Sequence, residues 1–117
     1  MSKLHVELER FRVIVGKEEK AREWMEFLTT HLEEVKKTLP TEKMYVESIF
    51  EETIEGVMYL YWVSYQGMQP GDVVFSDSLV DKKHLEFWND CIDPVYPESI
   101  LKTNVIMIQD KIREKMN

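Results

Sequence analysis

The first candidate for chemistry is His84, because a histidine is the side chain that most readily gains or loses a proton near neutral pH. It lies in residues 78–91, which predict a helix, on a stripe with Phe87, Trp88 and Cys91 at spacings of three and four. The imidazole should therefore point toward a sheet, where a neutral ring could move a proton or ligate haem iron. Alternatively, His84 is a core histidine that packs and makes one hydrogen bond. We take His84 as the candidate catalytic residue.

His31 lies with Trp24 and Phe27 on the inner stripe of another predicted helix, over residues 17–38. Two helices on one sheet could bring His31 and His84 together. No HxxxH or carboxylate–histidine spacing accompanies them, so the sequence predicts no metal site. The pair is either part of a ligand site or two satisfied polar groups in a core.

Charged residues inside predicted strands form a second group of candidates. They are Glu7, Glu9, Arg10, Arg12 and Glu47, with Ser48 beside them. Buried charges must pair or shift their pKa. Glu7 or Glu47 could act as a base whose pKa is raised by burial, or the charges could form an Arg–Glu network that fixes strand register or a dimer interface.

Aromatic residues complete the candidate site. Trp88 shares the stripe of His84, and Trp62 lies on the opposite face of its strand from Tyr59, Tyr61 and Tyr65. Such residues suit a cavity for a flat apolar ligand, and they equally suit a dimer interface. The ligand-binding residues that we predict are His31, His84, Trp62, Trp88 and Glu47. Cys91 is interpreted as a buried, inert thiol.

The elements that must position these residues follow from periodicity. Alternating apolar residues predict strands over residues 4–15, 42–53, 57–66 and 101–109, and stripes predict helices over 17–38 and 78–91. A short turn at 54–56 makes the second and third strands a hairpin, residues 67–76 read as a loop, and the tail at 110–117 as frayed or a short helix. In the first strand the apolar phase changes near Glu9, which indicates either a bulge or two faces covered in different places.

The order strand, helix, strand, strand, helix, strand predicts an α+β fold of the ferredoxin-like βαββαβ type. It would be a single domain over residues 1–117, with a four-stranded antiparallel sheet and two helices on one face. The third strand is apolar or aromatic on both sides, and two helices can cover only one. We therefore expect a homodimer in which two sheets pack face to face.

Composition excludes several classes of function. The chain has 117 residues, 44% hydrophobic and 32% charged, and a formal net charge of −7. This charge repels phosphate backbones, so nucleic acid is not an expected partner. The longest apolar run, at residues 57–63, is too short to cross a bilayer, and the first residues lack a signal-peptide core. With a single cysteine, these features favour a cytoplasmic location.

Five segments carry a resemblance to a known superfamily. They are V-E-L-E-R-F-R-V (6–13), G-K-E-E-K-A-R-E-W-M (16–25), E-K-M-Y-V-E-S-I-F (42–50), Y-L-Y-W (59–62) and D-K-K-H-L-E-F-W-N-D-C-I-D (81–93). In these the chain resembles a family of uncharacterised bacterial proteins within the dimeric α+β barrel superfamily. That superfamily includes haem-degrading and cofactor-free monooxygenases, isomerase-like enzymes and stress-associated proteins. The haem-degrading members have an Asn on the first strand and a Trp ahead of the His; here the Asn is missing and Trp88 follows His84.

The sequence thus predicts a homodimeric α+β barrel that binds a small apolar or aromatic molecule between helices and sheet. If the protein is an enzyme, we expect a cofactor-free monooxygenase or isomerase, so no cofactor is expected. The alternative is a noncatalytic stress or accessory dimer without a ligand site. A cavity of about 300 Å³ or more that reaches His84 would favour the first interpretation.

Overall fold

The computed structural model describes residues 3–40, 43–67 and 79–116. In chain order its elements are β1 (Leu4–Arg12), α1 (Glu18–Thr30), α2 (Leu32–Lys36), β2 (Met44–Ile54), β3 (Val57–Gly67), α3 (Leu79–Cys91), β4 (Ser99–Leu101) and α4 (Asp110–Arg113). The strands form one antiparallel sheet in the order β2-β3-β1-β4. The predicted α+β class and four-stranded antiparallel sheet are confirmed. Almost all of the predicted loop at 67–76 lies outside the described residues.

The β2–β3 hairpin closes on two residues with positive φ, Glu55 at 49° and Gly56 at 79°. A two-residue turn of this kind matches the right-handed twist of the strands that it joins. Glycine adopts such angles without strain, and here it takes the second position. The predicted hairpin is thereby confirmed.

The register of β1 against β3 assigns every strand residue to a face. Pairing is regular from Leu4 opposite Gly67 to Arg12 opposite Tyr59, so β1 has no bulge against β3. Phe11 and Trp62 therefore lie on the face that carries the helices, which we call the inner face. The opposite, outer face carries Leu8 of β1 and the β3 residues Val57, Tyr59, Tyr61, Val63 and Tyr65. The change of phase in β1 reflects apolar residues on both faces.

The core lies between the inner face and the helices α1 and α3. Its centre is Trp24, whose side chain is fully buried together with Met58, Leu60 and Cys91. Burial of each such side chain contributes about 1.5–3 kcal/mol. The core thus fixes how α1 and α3 lie on the sheet.

The single helix predicted over residues 17–38 is wrong in one respect, because the chain breaks at His31 into α1 and α2. The hydroxyl of Thr29 donates to the carbonyl of Met25 at 2.9 Å, and such bonds back to the preceding turn often bend helices. The amide of Glu34 then bonds the carbonyl of His31, three residues earlier. This tighter turn ends α1 and begins α2.

The strand predicted over residues 101–109 is also wrong in extent. β4 has only three residues, paired with Leu8–Arg10 of β1. Residues 102–109 belong to no helix or strand, although Val105 and Met107 are apolar. The predicted short helix of the tail is present as α4.

Within the described residues, no helix has the length and apolar character that crossing a bilayer requires.

Candidate functional site

A cavity of about 550 Å³ lies between the helices α1 and α2 and the strand β2. Its apolar wall is formed by helix residues such as Leu28 and Val35 and by Ile49 of β2. Glu47 of β2 and His84 of α3 are among its polar lining residues. The space thus combines an apolar body with a polar region at which a ligand could be oriented.

His84 is held in one orientation by Trp24. The indole Nε1–H of Trp24 donates to Nδ1 of His84 at 3.0 Å, and the two rings lie 5.4 Å apart. Burial lowers the pKa of His84. A proton on Nδ1 would also break the bond with Trp24, so the same contact favours the neutral ring.

This bond fixes the tautomer of His84. Because Nδ1 accepts a hydrogen bond, the proton of the neutral imidazole lies on Nε2. Nε2 makes no hydrogen bond with any residue that the structure describes. His84 therefore offers an uncommitted N–H donor and is not arranged as a base.

Glu47 is positioned in the same manner by a second tryptophan. The indole Nε1–H of Trp62 donates to Oε1 of Glu47 at 2.8 Å. The two indoles, Trp24 and Trp62, lie 5.5 Å apart. A pair of neighbouring tryptophans thus orients one potential donor and one potential acceptor in the cavity wall.

Trp62 and Trp88 are not among the residues that line the cavity. They pack behind it, with ring centroids 5.4 Å apart, and Trp88 also contacts Phe11 at 4.7 Å. Their role in this arrangement is support, since they fix the orientation of Trp24 and Glu47. The apolar stripe of the helix predicted over residues 17–38 includes Trp24. This position predicted that Trp24 is buried, but it did not predict the hydrogen bond to His84.

His31 also lies outside the cavity lining. Its ring stacks 4.3 Å from that of Phe27, and its Nδ1 lies 2.9 Å from the carbonyl oxygen of Phe27. The structure therefore places His31 at the break between α1 and α2, while His84 faces the cavity.

The strand arginines lie on the outer face. Arg12 forms an ion pair with Asp93 at 2.7 Å and lies over the ring of Tyr96. Arg10 contacts the hydroxyl of Tyr96 at 3.3 Å. The partners of these arginines come from the segment after α3, and the glutamates of β1 lie on the other side of the sheet.

Glu7 and Glu9 face inward and share a proton. Burial, together with hydrogen bonds to Glu7 and Glu98, raises the pKa of Glu9 to about 8. The pKa of Glu7 is lowered, chiefly by its hydrogen bond with Glu9 and further by His5. Glu9 consequently keeps its proton at neutral pH and donates it to the Glu7 carboxylate.

We expect the variant E9Q to be more stable than the wild type at pH 8.5 and equally stable at pH 4.5. A raised pKa in the folded state stabilises the fold fully below the unfolded value of 4.5, and this stability is lost as the pH rises to about 8. Glu9 is only half-buried, so the gain at pH 8.5 is about 1 kcal/mol, or roughly 3–6 °C in Tm.

Thermal unfolding of both proteins across this pH range measures the effect. The control is E26Q, which removes an exposed carboxylate from α1 and should follow the wild type at every pH. Parallel curves for E9Q and the wild type would contradict the shared proton.

Cys91 is fully buried, and burial raises the pKa of its thiol. Within the described ranges, no cluster of three or more His, Cys, Asp or Glu side chains could hold a metal ion.

Comparison with known proteins identifies the family to which the chain belongs. No curated protein matches the sequence at a significant level. Residues 4–114 match the model of a family of unknown function, DUF6176. This match spans nearly the whole chain, and the protein therefore belongs to the DUF6176 family.

Proposed function

We propose that the protein binds a small, largely apolar or aromatic molecule in the cavity between the helices and β2. One observation carries this proposal: the cavity reaches His84 and Glu47, and an indole N–H forms a hydrogen bond with each of them. The volume of about 550 Å³ lies within the range of small-molecule sites. It is also larger than the roughly 300 Å³ expected of a ligand cavity that reaches His84.

The polar groups define the ligand further. The Nε2–H of His84 suits an acceptor such as a carbonyl or quinone oxygen, and the carboxylate of Glu47 suits a donor or an acidic C–H. A ring or short chain bearing an oxygen would place its apolar part against Leu28, Val35 and Ile49. Flat oxygenated aromatics meet these requirements.

The corresponding reaction is a cofactor-free proton transfer. Glu47 takes a proton from the carbon beside a carbonyl, and the neutral His84 N–H stabilises the enolate oxygen. When the substrate is a β,γ-unsaturated carbonyl compound, the anion is a dienolate, and return of that proton to its γ carbon gives the conjugated isomer and regenerates Glu47. The same deprotonation begins a cofactor-free oxygenation: the carbanion gives two electrons to O₂ as the C–O bond forms, and Glu47 returns its proton to the resulting peroxide.

We further propose that the chain is a ferredoxin-like homodimer of the α+β barrel type. The strand order β2-β3-β1-β4 supports this arrangement. The outer face supports the dimer because several of its apolar side chains are accessible to solvent: Phe50, for example, is 59% exposed. Burial of four such side chains contributes about 6–12 kcal/mol before the costs of association.

Charges on the outer face support the same partner. Arg10 lies on β1, and its buried Nε has no hydrogen-bond partner among the described residues. Glu52 lies on β2, opposite Tyr59 of β3, on the same face. A two-fold axis along the strands would set β2 of one copy over β1 of the other and bring Glu52 level with Arg12, one outer-face position from Arg10. A noncatalytic dimer would keep this interface and lack the ligand.

We expect selective ligands to raise the Tm of the wild type in a screen of quinones, small aromatics, flavins and haem. The variant L28W, which fills the cavity with an indole, should remove the shift. H84N should weaken it at least tenfold in affinity, because the Asn oxygen can still accept from Trp24 while the Nε2–H donor is lost.

L85W is the matched control, since Leu85 on α3 is half exposed and is not part of the cavity wall. It should leave every shift unchanged. The absence of any shift in the wild type, or a shift that survives L28W, would favour the noncatalytic dimer.

A further inference from the structure

The segment after β4 is apolar and lies in solvent. Val105 is 67% exposed, Ile106 43% and Met107 83%. Over residues 102–109 the chain forms no helix, turn or bend, and it pairs with no strand that the structure describes. Exposed consecutive apolar residues of this kind mark an interaction site.

The opposite edge of the sheet is formed by β2, which also lacks a hydrogen-bonding partner strand among the described residues on one side. β2 has 11 residues and pairs with β3, and no residue that the structure describes pairs with its second edge, here called the free edge. A long edge strand presents a row of unpaired N–H and C=O groups, which is a template for another strand. Two apolar residues of this strand, Val46 and Ile54, are exposed.

We propose that residues 103–109, here called the arm, pair with the free edge of β2 in a second copy of this chain. This inference rests on the homodimer proposed above and specifies how its two copies are joined. The exchange is reciprocal, because a two-fold axis that places one arm on the partner's β2 places the partner's arm on this β2.

The order of the strands favours pairing of the arm with β2 of a second copy and not with β2 of its own chain. The arm leaves the sheet at β4, and β1 and β3 separate β4 from β2. Three strand spacings make this about 14 Å across the sheet. The hydroxyl of Thr103 donates to the carbonyl of Val6 at 3.1 Å and holds the root of the arm at the β1 side. The arm and the free edge thus lie at opposite sides of one sheet.

Residue type and charge fit the same partner. The arm contains Val105, Ile106 and Ile108, and β-branched residues pack well on a pleated surface. Lys102 precedes the arm and Asp110 and Lys111 follow it, so the flanking charges sum to +1, whereas Glu51 and Glu52 lie on β2. Opposite charges on the two segments favour pairing between copies and oppose pairing of β2 with another β2.

The exchange would also complete the ligand site. β2 contributes Glu47 and Ile49 to the cavity wall, together with Val46 and Phe50 at its rim. A strand added to its free edge would extend that rim with side chains from the partner's arm. The partner would then be needed for a closed cavity.

Cysteine pairs test the exchange directly. We pair V105C with S48C, F50C or E52C, which lie at successive outer-face positions of β2. A disulfide forms only where the two Cα atoms lie about 4.4–6.8 Å apart. We expect at least one pair to give a covalent dimer on a denaturing gel after mild oxidation, with most chains linked. The single variants and the wild type, whose Cys91 is buried, should remain unlinked.

A further pair of cysteines tests the alternative in which the arm extends β4 along β1 of its own chain. β4 pairs Leu101 with Leu8, so a longer β4 would bring Val105 opposite Leu4. L4C with V105C would then give an intramolecular disulfide, and this result would overturn the exchange. Sedimentation velocity at about 10 µM separates the remaining outcomes. A monomer would overturn both the homodimer and the arm, whereas a dimer without any β2 link would overturn the arm alone.

A proline in the arm gives a second measurement. I106P removes a backbone donor and blocks strand pairing, so it should raise the dimer Kd tenfold or more. I106V keeps the donor and the β-branched shape and should leave the Kd within twofold of the wild type. Equal Kd values for I106P and I106V would overturn the proposal.

Discussion

Replacing Trp24 with alanine will lower the free energy of unfolding by about 3–5 kcal/mol. Trp24 is fully buried, and its ring contacts those of Trp62, Phe87 and Trp88 at 5.5, 6.4 and 5.8 Å. The variant opens a cavity among these rings and removes the hydrogen bond to His84. Urea unfolding followed by circular dichroism at one fixed protein concentration measures the loss.

The control for this variant is L85A. Leu85 is half exposed on α3, so its truncation should change the free energy of unfolding by less than about 0.5 kcal/mol. A loss below about 2 kcal/mol for W24A would contradict the central place of Trp24 in the core.

Variants of His84 show how much of the contribution of Trp24 to the free energy of unfolding comes from packing and how much from its hydrogen bond. H84L leaves the buried indole N–H without an acceptor and should cost about 1–3 kcal/mol. H84N keeps an oxygen near the position of Nδ1 and should recover most of this loss. The double variant W24F/H84L should be more stable than the sum of the single changes predicts, because both partners are removed together. Equal stabilities of H84L and H84N would show that the bond contributes nothing.

These experiments concern a contact that sequence periodicity could not predict. The stripes of α1 and α3 correctly placed Trp24 and His84 toward the sheet, because a helix turns every 3.6 residues and buries one face. The two residues are 60 positions apart, and their bond depends on how the helices lie against each other and on one rotamer of each ring. Periodicity determines neither.

The same limit applies to His31 and His84. Both lie on inner stripes, so both were predicted to contribute to one site. A stripe extends along a whole helix, whereas the cavity reaches only part of it. The break after Thr30 places His31 at the end of α1, where its ring stacks on Phe27.

The strand predicted over residues 101–109 shows a different limit. Alternation correctly indicates residues suited to a sheet, yet a strand exists only where another strand supplies hydrogen bonds. Within one chain, the pairing of β4 with β1 ends where Leu101 lies opposite Leu8. The alternating pattern therefore predicts that the arm is suited to form a strand, but it does not predict which strand would pair with it.

Placing a charge at the centre of the outer face should weaken the proposed homodimer at least 100-fold. Val63 lies on β3 between Leu8 of β1 and Ser48 of β2, so V63D would bury an unpaired carboxylate between two packed sheets. The desolvation of such a charge costs several kcal/mol, and a loss of about 2.7 kcal/mol corresponds to 100-fold in Kd. Sedimentation velocity over a range of concentrations measures the change.

The control V95D makes the same substitution at a residue that is 86% exposed and outside the sheet, and it should leave the dimer intact. In a monomer the outer face lies in water, so V63D should then behave like V95D. A dimer that tolerates V63D as well as V95D would show that the outer face is not the interface. Combined with an intact arm cross-link, that result would mean that strand exchange alone holds the two copies together, with their outer faces apart.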